Sequence, residues 1–323
     1  QSLPQSVNLG TPLACTIDGE TAPLTGFGTS WTASLKLSGD ETEGVATFSC
    51  SGHIDWAGNA GTTDTTADSG SVTIDLTAPS ISNVVADWGA YLNTAEDNSA
   101  GTIVVVTSGA EDGQTVTITG MGVTDTCSVS SNTCTATIAA ADLQALSDGT
   151  TYTITVNVAD AAGNSAAEDT GDTFTYDISA PTISSVSADW GSYLNAAEDN
   201  SDGTVSVTTS GAEDGQTVTV TINSVTDTCT VSSNTCAATI AAADLQALTD
   251  GSAYTIAVDV DDVAGNSAGQ DTSQLFIYDV TLPSLTIAIA SNNILLTTIA
   301  VLGDTITLTV TASESVTGLA CTI

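Results

Sequence analysis

The chain repeats itself with a period of 102 residues, and that period constrains everything it can fold into. The segment DWGAYLNTAEDNSAGTIVVVTSGAEDGQTVT beginning at Asp87 returns as DWGSYLNAAEDNSDGTVSVTTSGAEDGQTVT at Asp189. Trp88 maps onto Trp190, Cys127 onto Cys229, Cys134 onto Cys236, Tyr152 onto Tyr254 and Asn164 onto Asn266 without a gap. Pro79, Pro181 and Pro283 mark joints at the same spacing. Such self-similarity reads as beads on a string. The joints divide the 323 residues into 1–79, 80–181, 182–283 and 284–323, two whole domains with a partial one at each end. About 100 residues suffice for a self-sufficient core. Arrays work by reach and repetition, so the expected role is structural rather than catalytic.

Apolar residues make up 41% of the chain, which excludes disorder, yet aromatics make up only 4%. The core must therefore come from Val, Ile, Leu, Ala and Thr methyls, which favour pleated strands. Against 38 Asp and Glu stands one basic residue, Lys36, for a formal charge of −37. Nothing can neutralise phosphates, so nucleic acid and anionic membrane surfaces are excluded as partners. Two readings of the charge stand side by side: solubility in a crowded or salty exterior, and carboxylates as ligands for divalent cations. The most apolar run, Ile294 to Gly303, is broken by Thr and too short to cross a bilayer, so no membrane insertion is expected.

Seven cysteines fall at 15, 50, 127, 134, 229, 236 and 321. Cys127/Cys134 and Cys229/Cys236 recur in the frame TDTCxVSSNTC, with no His nearby to build a metal site. Their spacing across a turn-rich Ser-Ser-Asn fits a disulfide clamped across a β-hairpin. Cys15 and Cys50 are expected to pair within the first domain. Disulfides imply an oxidising compartment, hence an extracellular or cell-surface location. The sequence starts at Gln1 without Met and shows no signal peptide, so a processed protein or a fragment is expected.

Each full repeat reads as about seven short strands. In 182–283, TISSVSADW opens the domain and GSYLNAAEDNSDG is a loop; TVSVTTSG and QTVTVTI then alternate with period two around the turn GAEDG. TCTVSSNTCAATI is the disulfide hairpin, and AADLQALTDG is a helical turn with Asp244 as its N-cap. AYTIAVDVDD is a long strand, VAGNSAG a loop and SQLFIYDV the last strand. This spacing predicts an all-β chain of antiparallel sandwiches with Greek-key connections. Tyr152 and Tyr254 sit early in the penultimate strand, where a tyrosine corner is expected.

Three D-x-x-G-N loops recur, Asp55–Asn59, Asp160–Asn164 and Asp262–Asn266. Three D-x-[TS]-x-P joints recur too, Asp75–Pro79, Asp177–Pro181 and Asp279–Pro283, and AADLQAL precedes each Tyr strand of the full repeats. These motifs resemble the bacterial Ig-like tandem repeats of giant surface adhesins and related extracellular fibres, over nearly the whole chain. The resemblance implies tandem Ig-like sandwiches joined end to end, with joints stiffened by calcium. The cysteine hairpins depart from many such adhesins, which are cysteine-poor.

The two ends read as a second repeat subtype, residues 284–323 its first part and 1–79 its latter part. LACTI occurs at both 13–17 and 319–323, and joining Ile323 to Asp18 restores one full period. On this reading the first domain lacks roughly its first 23 residues. Either the chain is a window on a longer array, or the apolar segment 284–306 completes the first domain of another copy by strand addition. The second alternative propagates head to tail into a filament. Residues 307–323 align with 1–17, so both compete for one strand position and for Cys50.

In an Ig-type sandwich the B–C and F–G loops lie at the N-terminal pole and the A–B loop at the other. On that geometry Asp87, Glu96, Asp97 and Asn98 converge with Asp177 of the linker and with Glu213, Asp214 and Asp262 of the next domain. Asp189, Glu198, Asp199, Asp202 and Asp279 repeat the arrangement, and Asp75, Glu111, Asp112 and Asp160 serve the preceding joint. Carboxylates crowded without Lys or Arg repel unless bridged, and oxygen-only clusters suit Ca²⁺. The opposing reading is that they are solvated Asx-turn residues.

Catalytic inventory is poor. His53 is the single histidine and lies outside the repeats, so no repeat holds a Ser-His-Asp site, and His53 reads as a strand residue. Paired carboxylates for glycoside hydrolysis would need an aromatic platform. Trp88 and Trp190 read as packing over the joint, with sugar stacking as the alternative. Lys36 alone could form an isopeptide bond, so the disulfides take the stapling role in the repeats. The expectation is a non-enzymatic stalk or filament whose partners are other copies of itself or flanking Ig-like repeats. The alternative is an adhesin module that binds a host protein or a surface glycan.

Overall fold

The computed structural model describes residues 13–27, 29–55 and 57–322. Residues 1–12, Gly28, Trp56 of the first D-x-x-G-N loop and Ile323 lie outside the described residues. The chain forms two compact units, Gln1–Leu92 with Glu96–Tyr176, and Asn93–Ala95 with Asp177–Ile323. Among the described residues no helix is long and apolar enough to cross a membrane.

The first unit opens with short strands: β1 (Ala14–Ile17), β2 (Glu20–Ala22), β3 (Leu24–Phe27), β4 (Ser30–Ala33), β5 (Gly44–Val45), β6 (Phe48–Ser51) and β7 (Thr73–Ile74). They form the sheet β2-β1-β6 and the pairs β3-β4 and β5-β7. Cys15 lies opposite Cys50 in the β1–β6 ladder, and the two are disulfide-bonded.

A complete sandwich follows. Its strands are β8 (Ser80–Ala86), β9 (Tyr91–Leu92), β10 (Gly101–Ser108), β11 (Thr115–Thr119), β12 (Asp125–Ser128), β13 (Thr133–Ile138), β14 (Thr150–Val158) and β15 (Asp169–Tyr176), with the single-turn helix α1 (Ala140–Leu143) after β13. One sheet runs β13-β10-β8, the other β12-β11-β14-β15-β9. The alternation in β10 buries Ile103 and Val105 while Val104 faces out. Ile103, Val105, Val116, Ile118, Ile138 and Val156 are fully enclosed, so the two inner faces interdigitate as the period-two pattern requires. The sandwich has eight strands rather than seven. Tyr91 and Leu92, within the expected loop, pair parallel to β15, and the fully buried Leu92 pins them there.

The second unit repeats this architecture with β16 (Thr182–Ala188), β17 (Tyr193–Leu194), β18 (Gly203–Ser210), β19 (Thr217–Ile222), β20 (Val225–Thr230), β21 (Thr235–Ile240), α2 (Ala242–Leu245), β22 (Ser252–Val260) and β23 (Asp271–Tyr278). Its sheets run β16-β18-β21 and β17-β23-β22-β19-β20. Last come β24 (Leu285–Ser291) and β25 (Ile306–Ala312), an antiparallel pair forming a sheet of its own.

The repeat disulfides span a tight hairpin turn, where Ser130 and Thr133 (and Ser232 and Thr235) exchange both backbone hydrogen bonds, but the strands beyond it diverge into different sheets. Cys127 lies on β12 of the five-stranded sheet and Cys134 on β13 of the three-stranded sheet, so the bond joins edge strands of opposite layers; Cys229–Cys236 does the same between β20 and β21. The chain changes sheets at the Ser-Ser-Asn turn, where Ser131 (φ 52°) and Asn132 (φ 64°) adopt the left-handed conformation that Asn tolerates. The turn is closed as a hairpin by the Ser130–Thr133 bridge, and it is at the same time the corner between two layers.

Asp244 is not the helix cap. The N-cap position of α2 is Ala241 with no side-chain bond, and Asp244 lies inside the first turn. Asp202 accepts the Ala242 N–H instead, at 3.0 Å, so the cap arrives from a distant loop. Both tyrosine corners are present: Tyr152 OH accepts the Ser147 N–H at 2.9 Å, and Tyr254 OH accepts the Thr249 N–H at 2.7 Å. Trp88 and Trp190 pack into the sandwich cores, edge-on to Phe174 and Phe276 with centroids 5.2 and 5.3 Å apart. Gly203 permits this: a Cβ there would lie 2.4 Å from the Trp190 ring. Neither indole offers a stacking platform.

Candidate functional site

The D-x-x-G-N loops are small cages built on one aspartate. Asp160 Oδ1 accepts the N–H groups of Gly163 and Asn164, both at 2.8 Å, while its Oδ2 accepts from Asn164 Nδ2 at 2.9 Å. Asp262 holds Asn266 through backbone and side chain at 2.8 and 3.0 Å, and Asp55 holds Asn59 at 2.8 Å through each. Burial acts to raise the Asp160 pKa, but the Asn164 side chain and the loop N–H groups outweigh it and hold the carboxyl below its usual value. At Asp55 the Asn59 side chain and N–H likewise lower it.

Each cage is gripped from outside. In the second unit Asn266 Nδ2 also donates to the linker carbonyl of Asp177 at 2.9 Å. Asn266 Oδ1 accepts from the Thr94 N–H at 3.2 Å and from Thr94 Oγ1 at 2.9 Å. Asn93 Nδ2 donates to the Ala264 carbonyl at 2.8 Å, and Asn93 Oδ1 shapes its own turn by accepting the Ala95 N–H. A third grip comes from the turn after the β18 strand, where Glu213 accepts the Val263 N–H at 2.9 Å. In the first unit Asn164 Nδ2 donates to the Asp75 carbonyl at 3.1 Å, and Glu111 accepts the Ala161 N–H at 2.9 Å.

The expected cation ligands are mostly employed within their own loops. Asp97 and Asp199 are nearly enclosed and accept from Tyr176 OH and Tyr278 OH, both at 2.7 Å. Burial, then the bond to Asp97, pushes the Tyr176 phenol up to about 12; at Tyr278 the bond to Asp199, then burial, does the same. Asp87 accepts from the N–H and hydroxyl of Thr102, and Asp189 accepts from the Thr204 N–H. Asp75, Asp177 and Asp279 accept the N–H two residues on, as Asx turns do, and Glu198 accepts the Asn195 N–H. Asp112 and Asp214 accept from Ser131 and Ser233 at the layer-changing corners. Among the described residues no three His, Cys, Asp or Glu side chains gather closely enough to hold a metal ion, so these acids do not form a ready-made ion cage. Glu96 has partners of its own.

Sequence reasoning placed the joint contacts on the acids of the loop after strand β9, but the residues that grip are its neutral Asn93 and Thr94. The repeated L-N-[TA]-A-E-D-N motif was the available signal. Tyr176 and Tyr278 were missed as partners of Asp97 and Asp199, because each pair is separated by 79 positions.

Toward the ends, strands are left uncovered. β1, β2 and β6 take the places of β11, β12 and β14, but among the described residues nothing takes the places of β8 and β10. A cleft of about 1190 Å³ opens there, lined by Ile17, Leu35, Leu37, Phe48 and Ile74 among others. Conversely β24 and β25 pair antiparallel like β16 and β18, with Ile289 opposite Leu308, but without the register shift that β16 carries at Ile183/Ser185. Ile287 and Ile289 are 60% and 65% exposed. Cys321 is free and exposed.

Fold and loops together define an array of Ig-like sandwiches with stereotyped joints. No family model and no curated protein matches the sequence. Among solved structures, the chain is similar to a Ca²⁺-stabilized adhesin that helps an Antarctic bacterium reach out and bind ice, at 26% identity over 87% of this chain and 68% of that one, with a TM-score of 0.40. It is also similar to a 1.5-MDa bacterial ice-binding adhesin, at 23% identity over 83% and 86%, TM-score 0.39. A bacterial immunoglobulin-like domain from the M. primoryensis ice-binding adhesin matches at 30% identity over 30% of this chain and 99% of that one, TM-score 0.23. These three structures come from bacterial ice-binding adhesins.

Proposed function

We propose that this chain is a non-enzymatic, extracellular stalk or filament segment, divided into Ig-like domains at 1–79, 80–181, 182–283 and 284–323. The observation that carries this reading is the duplication of the sandwich together with its joint grip, since repetition of a whole domain and its connector serves reach. The disulfides fit an oxidising exterior. In this reading the β24–β25 pair of one copy completes the N-terminal sheets of the next by strand addition, head to tail. Its support is complementarity. The pair supplies the two strand positions that are unfilled beside the N-terminal sheets among the described residues, and its bare Ile and Leu side chains match an apolar cleft. Burying each such side chain is worth roughly 1.5–3 kcal/mol. The 38 acids against one base support a further part of the reading, that calcium screens and stiffens the joints.

Sedimentation and small-angle scattering of the full chain and of a 284–323 deletion, each with and without chelator, test both parts. The full chain should form linear polymers and the deletion only monomers; the same polymer from the deletion would refute strand donation. A maximum dimension and melting temperature unmoved by chelator would reduce the charge to plain solubility.

A further inference from the structure

We infer that the cleft between the loop 195–197, the linker 279–283 and the turn 314–317 is a receptor for the Ala57–Asn59 loop of a second copy, so that the contact between copies reproduces the joint inside the chain. The proposal rests on the strand-donation reading above and names the residues that lock it.

Three gripping groups surround a D-x-x-G-N loop at the 262–266 joint: Asn93, the Asp177 carbonyl and Glu213. One period on, Asn195 and Asp279 stand in the first two places. By the 102-residue period the third place falls on Ser315, and its neighbour Glu314, which lines the same cleft, supplies the carboxylate there. All three line one cleft of about 690 Å³. Asn195 is already in the gripping posture, its Oδ1 accepting the Ala197 N–H at 2.9 Å as Asn93 accepts that of Ala95. Its Nδ2, the atom that in Asn93 reaches the Ala264 carbonyl, has no partner among the described residues.

The other half of the joint is equally open. Asn59 forms the same internal cage as Asn164 and Asn266, but among the described residues its Nδ2 has Asp55 alone as partner, where its counterparts add a linker carbonyl. Its burial follows the missing contact: Asn266 is 3% exposed, whereas Asn59 lies open to solvent. The occupant also fits sterically. At Gly265 a Cβ would come within 3.3 Å of Asn93 Nδ2, and Gly58 occupies that position with the same φ of 89°. In the assembled joint Asn195 Nδ2 donates to the Ala57 carbonyl, Asn59 Nδ2 donates to the Asp279 carbonyl, and Asn59 Oδ1 accepts the Ala196 N–H. Ala196 replaces Thr94, so this joint has one hydroxyl contact fewer than the internal one.

The test measures self-association of the full chain by sedimentation velocity over a concentration series, with Asn59→Ala, Asn195→Ala, Glu314→Ala and, as control, Thr173→Ala. Each hydrogen bond lost at the lock should weaken association by about 2–10-fold, so the first three variants should each fall in or above that range. The control, an exposed strand position of a complete sandwich outside every joint, should associate as wild type. Unchanged melting of the monomer verifies that the variants fold. If the three variants associate like wild type while the 284–323 deletion stays monomeric, strand donation stands and the loop lock is refuted. If the unaltered chain never associates, both are refuted together.

Discussion

The strand pair β16–β18 and the strand pair β24–β25 run in the same antiparallel sense, the first with a register shift at Ile183/Ser185 and the second without, and have opposite surroundings. Val186 and Val207 are 9% and 1% exposed beneath a five-stranded sheet, while Ile287 and Ile289 on the later pair are mostly bare. The later pair is the more apolar of the two, so sequence hydrophobicity alone does not decide burial; the presence of an opposing layer does. Two strands are marginal alone in water and need a hydrophobic face covered to be stable. The complete sandwiches show what covers such a pair, and the N-terminal sheets show, among the described residues, a core without that cover.

The largest test of this contrast is truncation of matched side chains. Ile103→Ala, in a fully enclosed site, should cost about 2–5 kcal/mol in thermal or denaturant unfolding. Ile289→Ala should cost the isolated chain less than about 0.5 kcal/mol yet weaken its self-association. Equal costs at the two sites would erase the distinction between covered and uncovered strands. Next in size are the staples between layers. Replacing Cys229 and Cys236 by Ser should lower sandwich stability by about 2–3 kcal/mol, and thiol labelling without reductant should find Cys321 alone; labelling at Cys127 or Cys229 would contradict the staple.

The smallest effect is alkaline. The Tyr176 and Tyr278 phenols titrate near 12 in the folded chain against about 10 when unfolded. A raised pKa means that folding favours the neutral phenol, so its stabilisation is complete below pH about 10 and is lost as pH climbs from 10 through 12. Stability should therefore decline over that window, and Tyr278→Phe should flatten part of the decline. A decline unaffected by removing both hydroxyls would show that other groups drive it.

Much of this was legible in the sequence because it is local. The alternation in GTIVVVTS announces β10, and the Tyr of each long strand announces its corner. What escaped was whatever depends on distance. The Ser-Ser-Asn turn between the cysteines is locally indistinguishable from a hairpin, and only the pairing of β12 with β11 and of β13 with β10 shows a change of layer. Asp97 and Asp199 looked like free acids because the tyrosines that bind them come from the far end of the domain. Asn93 and Thr94 were overlooked beside louder charges, although a neutral amide can both give and accept a hydrogen bond where a carboxylate only accepts.

The bond from Tyr278 to Asp199 has one more consequence. Asp199 lies four residues after Asn195 on the same turn, and the turn also closes through the Asp199 N–H to the Asn195 carbonyl at 3.1 Å. The loop that faces the cleft is thereby bolted to the floor of the sandwich before any visitor arrives. Its conformational freedom is surrendered during folding rather than at docking, and a preorganised receptor binds with more of its gross contact energy intact. A loop of the same composition hanging free would make the same contacts and hold its partner more weakly.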